Sequence, residues 1–160
     1  MLKRLLTLSL FLLTLTVSSF AQPAKSAAKK SSAGSAPDKA YLQKLLAGWS
    51  AMDTAGMTQY YVQGDYTFFD IAPLKYRNWT EYQNGVAGLL KNYASFKLTL
   101  NDDAQIHREG DVVWSSATVE EDAVTTAGKH EMATMRWTVI FQKIEGKWLI
   151  VHEHTSEPLQ

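Results

Sequence analysis

The spacing of apolar residues changes repeatedly along the chain, and each change marks an element. Leu5 to Val17 is an almost continuous apolar run, broken only by Thr7, Ser9, Thr14 and Thr16. Gln22 to Pro37 is rich in Ala, Ser and Lys and has no large apolar residue. Nothing in it can bury enough surface to offset ordering entropy, so a flexible linker is expected over 22–37. Tyr41, Leu42, Leu45, Leu46 and Trp49 then fall on one helical face, with Asp38 available as N-cap. Asp53 is set to cap a second, short helix whose apolar side is Met57, Tyr60 and Tyr61. Gly64-Asp65 breaks that pattern, and Tyr66-Thr67-Phe68-Phe69, aromatic and β-branched, predicts a short strand ending near Asp70. Ile71 to Asn78, with Pro73, reads as loop.

Thr80-Glu81-Tyr82-Gln83 fits a capping box, in which the Thr hydroxyl and the Gln side chain each satisfy an orphan backbone donor. Trp79, Tyr82, Val86, Leu89, Leu90 and Tyr93 recur at helical period and predict a third helix. The period then falls to 2, with Phe96, Leu98 and Leu100 alternating against Lys97 and Thr99. Four further strands are expected, separated by turns at Glu109-Gly110-Asp111, Thr126-Ala127-Gly128-Lys129 and Glu145-Gly146-Lys147. Turns this short join antiparallel hairpins. Helices followed by a long meander make the chain α+β, with the helices on one face of a curved sheet and a cavity between the two.

Composition narrows the chemistry. The chain has no cysteine, which removes disulfides, thiolate nucleophiles and Cys-based metal sites. Its 16 Lys and Arg balance 16 Asp and Glu, so it lacks the basic surface that binding nucleic acid requires. Lys3 and Arg4, the apolar run after them and Ser19-Phe20-Ala21 form the three parts of a secretory signal peptide over 1–21. The run is too short and too interrupted for a bilayer span. An exported protein, periplasmic or secreted, is therefore expected, with no membrane association once the signal is removed. From Tyr41 to Gln160 the chain carries 10 basic and 15 acidic residues, a net of −5.

Several local motifs are characteristic: Phe69-Asp70-Ile71-Ala72-Pro73, Trp79-Thr80-Glu81-Tyr82, Met135-Arg136-Trp137-Thr138, and the run from Gly146-Lys147-Trp148 through His152-Glu153-His154-Thr155-Ser156 to Glu157-Pro158. Together they resemble SnoaL-like, ketosteroid-isomerase-like members of the nuclear transport factor 2 (NTF2-like) superfamily, over Tyr41 to Leu159. The resemblance implies a cone-shaped α+β barrel, three N-terminal helices on a strongly curved, mostly antiparallel sheet, and commonly a homodimer packed through the sheets. It implies less about activity, since such folds host isomerases, dehydratases, cyclases, hydrolases and pure binding modules. Where relatives usually place Gly before the Trp of the third helix, this chain has Asn78, a residue that tolerates left-handed backbone.

By that resemblance Asp70 matches the catalytic base of steroid isomerases. A carboxylate beside Phe68, Phe69 and Trp79 would be partly desolvated and its pKa raised, as abstraction of a proton next to a carbonyl requires. The alternative is that Asp70 caps the loop before Pro73. The enolate-stabilising partners of steroid isomerases are absent: Leu45 and Leu46 stand on the first helix and Trp137 on the late strand, so steroid isomerisation is not expected. Glu153 is the candidate acid.

Strict alternation puts Trp148, Ile150, His152, His154 and Ser156 on one face of the last strand, and Leu149, Val151, Glu153 and Thr155 on the other. Alignment to isomerases turns Trp137, Val139, Val151, Glu153 and Thr155 toward the cavity. A single β-bulge would reverse this. Arg136, His154 and Ser156 are expected to form a hydrogen-bonded structural network. His152-x-His154 lacks a third ligand of matching phase, so no metal site is assigned, and no cofactor. Tyr60, Tyr61, Tyr66, Tyr76, Trp79 and Tyr82 are expected around the cavity mouth. Trp49, Tyr61, Phe69, Trp79, Tyr82, Trp137 and Thr155 are the expected contacts to a small, mostly apolar organic molecule. Two functions follow from this: acid–base chemistry of isomerase or dehydratase type, or a non-catalytic ligand-binding or dimeric assembly module.

Overall fold

A computed structural model describes residues 34–159. The expected signal peptide and the linker up to residue 33 lie outside the described residues. The final part of that linker, Gly34 to Pro37, is packed on the domain: Pro37 is buried, and the Trp148 indole donates to the Gly34 carbonyl at 3.3 Å.

Helix α1 spans Lys39–Ser50 and is capped by Asp38, whose carboxylate accepts from the Tyr41 backbone N–H at 2.9 Å. Its buried side is Leu42, Leu45, Leu46 and Trp49, the face read from the sequence. Helix α2, Thr54–Met57, is capped by Asp53 and runs on into a single 3-10 turn, Thr58–Tyr60. Helix α3 spans Trp79–Leu90. It begins one residue before Thr80, and the cap is Asn78, whose side chain accepts from the Glu81 N–H at 2.9 Å. The capping box expected at Thr80 is therefore not formed. Asn78 is extended, with φ −162°, so the left-handed backbone allowed for in place of Gly is not used either.

The sheet has five strands: β1 Tyr93–Leu100, β2 Gln105–Glu109, β3 Val112–Thr125, β4 His130–Ile144 and β5 Lys147–Ser156. All pairings are antiparallel and the sheet is open, in the order β1-β3-β4-β5, with β2 on the same side of β3 as β1. The long strands β3 and β4 curve around the helices, and their inward residues Val113, Val119, Trp137, Val139 and Phe141 form the core with α1 and α3. The strand expected at Tyr66 to Asp70 is reduced to single bridges, Phe68 with Tyr76 and Phe69 with His154. That segment instead lies along β5: Phe69 N–H donates to the Glu153 carbonyl at 2.9 Å and Thr155 N–H to the Phe69 carbonyl at 3.1 Å. With the Val62 N–H on the Ile150 carbonyl at 3.0 Å, it covers much of an edge that would otherwise be free to pair.

Strict alternation fails on β5. Ile140 pairs with His152 but Phe141 with Ile150, so Val151 is the extra residue of a β-bulge. Trp148 and Ile150 thus share the buried face with Glu153, while His152 and His154 lie off that face. Val151, expected toward the cavity, is only half-buried. The bulge keeps both the apolar start and the carboxylate end of the strand facing the helices.

Candidate active site

Between the helices and the concave sheet lies a cavity of about 80 Å³. Trp49 and Leu46 come from α1, Tyr82, Val86 and Leu90 from α3, and Phe96, Val119, Met135 and Trp137 from the sheet. Three carboxylates interrupt this apolar wall: Asp70, Glu121 and Glu153. Asp70, Ile71 and Thr155 also line a wider groove outside, which runs over Phe69, Leu74 and the C-terminal residues to Leu159.

Glu153 is 2% exposed. One of its oxygens accepts from the Trp137 indole at 2.5 Å and the other from the Tyr61 hydroxyl. The Tyr61 oxygen in turn accepts from the Trp49 indole at 3.2 Å, which polarises its O–H toward the carboxylate. Trp79 stacks on the Tyr61 ring at 4.1 Å and fixes it from behind. Burial pushes the Glu153 carboxyl up to about 7; the hydrogen bonds from Tyr61 and Trp137 pull the other way, and the charge of Asp70 adds to the rise. A group poised there holds a proton for part of the time at neutral pH, as a general acid must.

Asp70 is raised as well, by burial, against the opposing effect of the Ile71 backbone N–H, which donates to it at 2.8 Å. It is brought beside Thr155 because Phe69 pairs along β5 in the parallel sense. Asp70 and Glu153 therefore converge on one cavity. Trp49, Tyr82, Trp137 and Thr155 line it as expected. Tyr61 and Trp79 do not line it: Tyr61 donates to Glu153 from behind the wall, and Trp79 stacks on Tyr61. Phe69 is outside. Phe68 takes the inward phase, 0% exposed and stacked on Tyr82, which leaves Phe69 in the groove against His152 and His154. Of the six aromatics expected around the mouth, Tyr82 alone lines the cavity; Tyr76 and Tyr61 are core, and Tyr60 and Tyr66 pack at its margin.

The expected Arg136, His154 and Ser156 network is not formed. Arg136 and Ser156 pair across β4 and β5 on the outer face, but the Arg136 guanidinium donates to the Glu157 carbonyl at 3.5 Å. The bulge falls before His152, so His152 and His154 stay on the same side of β5, both against Phe69, and the His152 Nδ1 meets the Thr67 carbonyl at 2.8 Å. Among the described residues no three His, Asp or Glu side chains are close enough to share a metal ion.

Glu121 was not anticipated. It follows Val113, Ser115, Ala117 and Val119 in strict alternation on β3, so its phase alone marks it as an inward carboxylate.

The SnoaL-like domain family matches residues 39–160. The chain belongs to the SnoaL-like family. Solved NTF2-like structures share its fold. An NTF2-like superfamily protein of Salmonella enterica is 23% identical, with a TM-score of 0.66 over 74% of this chain and 89% of that one. An NTF2-like protein of Streptomyces avermitilis whose name proposes a dehydratase is 12% identical, with a TM-score of 0.63 over 72% and 90%. A Novosphingobium aromaticivorans protein whose name proposes a scytalone dehydratase is 8% identical, with a TM-score of 0.66 over 74% and 79%. At these identities the likeness is one of fold. No curated protein matches the sequence. Within the SnoaL-like frame, the groups that set this chain's cavity apart from a plain apolar pocket are its three carboxylates, Asp70, Glu121 and Glu153.

Proposed function

We propose that this SnoaL-like protein carries out acid–base chemistry of isomerase or dehydratase type on a small organic molecule held in the cavity. The observation that carries the reading is the convergence of Asp70 and Glu153 on one largely apolar pocket. Asp70, which among the described residues forms no ion pair and whose pKa burial raises, takes a proton from a carbon next to a carbonyl. Glu153, protonated in part near neutral pH, gives its proton to the oxygen on which charge develops. Trp49, Tyr82 and Trp137 give the cavity a mostly apolar wall, in which both interactions are stronger than in bulk water. The dehydratase names among its structural relatives are consistent with such a pair. We further propose export after cleavage near Ala21, which N-terminal sequencing of the exported protein would check.

The reading is tested by a thermal-shift screen against small carbonyl and phenolic compounds, followed by product analysis, with wild type and Asp70→Asn in parallel. A compound that stabilises wild type and is consumed only with Asp70 intact is the expected result. Binding without turnover, indifferent to Asp70, would leave a ligand-binding or assembly module.

A further inference from the structure

The proposed acid–base chemistry on a neutral carbonyl compound uses two carboxylates, but the cavity has three. Besides Asp70 and Glu153 it is lined by Glu121, and by no Lys, Arg or His. Just outside, the groove adds Glu157, and its sole ionisable nitrogen is on His154. These charges act on one another: after burial, the largest influences raising the Glu121 carboxyl are Glu157, Glu131 and Asp70. The carboxylates are not gathered tightly enough to hold one metal ion among them. They are spread around a volume whose remaining wall includes the rings of Trp49, Tyr82, Phe96 and Trp137.

A cavity with a negative field and aromatic walls favours an organic cation on two counts, charge attraction in a poorly screened site and the negative faces of the rings. An anion would meet the carboxylates of Asp70 and Glu121, a Glu153 that is charged for part of the time, and no counter-charge on the wall. We propose that the cavity takes the ammonium end of a small organic amine, so that the substrate of the Asp70 and Glu153 site is cationic. The size agrees with a compact head group: 80 Å³ is about half of an apolar cavity known to hold benzene. The remainder of a larger ligand would lie in the groove beyond Asp70. The proposal rests on the reading of this cavity as the substrate site, and it is the charged, aromatic-lined cavity, rather than the acidic cluster alone, that supports it.

The test compares three probes of one shape and different charge, isobutylamine, isobutanol and isobutyrate, at neutral pH. Binding is read by tryptophan fluorescence, since Trp49 and Trp137 line the cavity, on wild type, Glu121→Gln and Asp70→Asn. The expected result is that isobutylamine binds about tenfold or more tightly than isobutanol, with isobutyrate weakest, and that each substitution reduces the ratio of amine to alcohol affinity several-fold. Circular dichroism establishes that the variants fold. Equal binding of amine and alcohol, a preference for isobutyrate, or binding of none of the three would overturn the proposal. So would an amine preference that survives both substitutions, because the charge would then be read elsewhere. Failure of the acid–base reading is distinguishable: it shows as turnover indifferent to Asp70→Asn, whatever the probes do.

Discussion

At the scale of single residues, the buried carboxyl of Glu153 makes a statement about stability as well as chemistry. Its pKa is about 7 in the fold, against an ordinary value of 4.5. Below about pH 4.5 the group is neutral in both folded and unfolded chains and costs nothing; above about 7 it is charged in both, and the fold must hold a charge that it desolvates. Stability is therefore lost as pH rises through this window, by an amount on the order of 3 kcal/mol. Glu153→Gln removes the titration while keeping the shape. Urea unfolding at pH 4.5 and pH 8 should show wild type losing stability relative to the variant between the two. A difference that stays constant with pH would contradict the assignment. Asp70 contributes in the same direction, since burial raises it too. Glu153 was readable as a candidate acid from its sequence position. Its partners were not: nothing in the spacing says that Tyr61, a residue of the opposite end of the domain's sequence, donates to it while Trp49 donates to Tyr61.

At the scale of elements, the helix faces and the strand periods were legible because each rests on burial of one face. The buried positions of α1 are the ones that periodicity selects, and Asp38 and Asp53 cap the helices that follow them. Two residues near the start of α3, Asn78 and Thr80, can cap it, and the local pattern does not rank them. Asn78 wins by bonding the Glu81 N–H, and the Glu81 carboxylate is occupied with the Arg77 backbone and side chain. Asn78→Ala should then lower stability by about 1 kcal/mol, whereas Thr80→Ala should change it by less than about 0.5 kcal/mol. Denaturant melts of the two variants check this, and the reverse order would restore Thr80 as the cap. The bulge at Val151 was beyond the reach of an alternation rule, because a bulge is a property of the pairing between β4 and β5, not of β5 alone. It corrected which apolar residues share a face with Glu153 while leaving Glu153 itself inward. The segment from Tyr66 to Asp70 has strand-like composition but only bridges as partners, and the parallel contact with β5 that fixes Asp70 is long-range.

At the scale of the molecule, the curved open sheet wraps helices that supply tryptophan and tyrosine to one side of a cavity and leaves three carboxylates on its wall. The fold was readable from helices followed by a meander, and the family from the motifs of the last strands. The composition of the cavity was only partly readable, since Glu121 is one of several carboxylates on β3 and only its phase singles it out. The central claim is that Asp70 and Glu153 act together as base and acid. Proton exchange tests it without knowledge of the physiological substrate. Exchange of the α-protons of a small ketone such as cyclopentanone in deuterated water, followed by NMR, isolates the proton-abstraction step. The account predicts exchange above the uncatalysed rate with wild type and a loss of about 100-fold or more in Asp70→Asn, with a smaller loss in Glu153→Gln. Exchange that is unaffected by Asp70→Asn would contradict it.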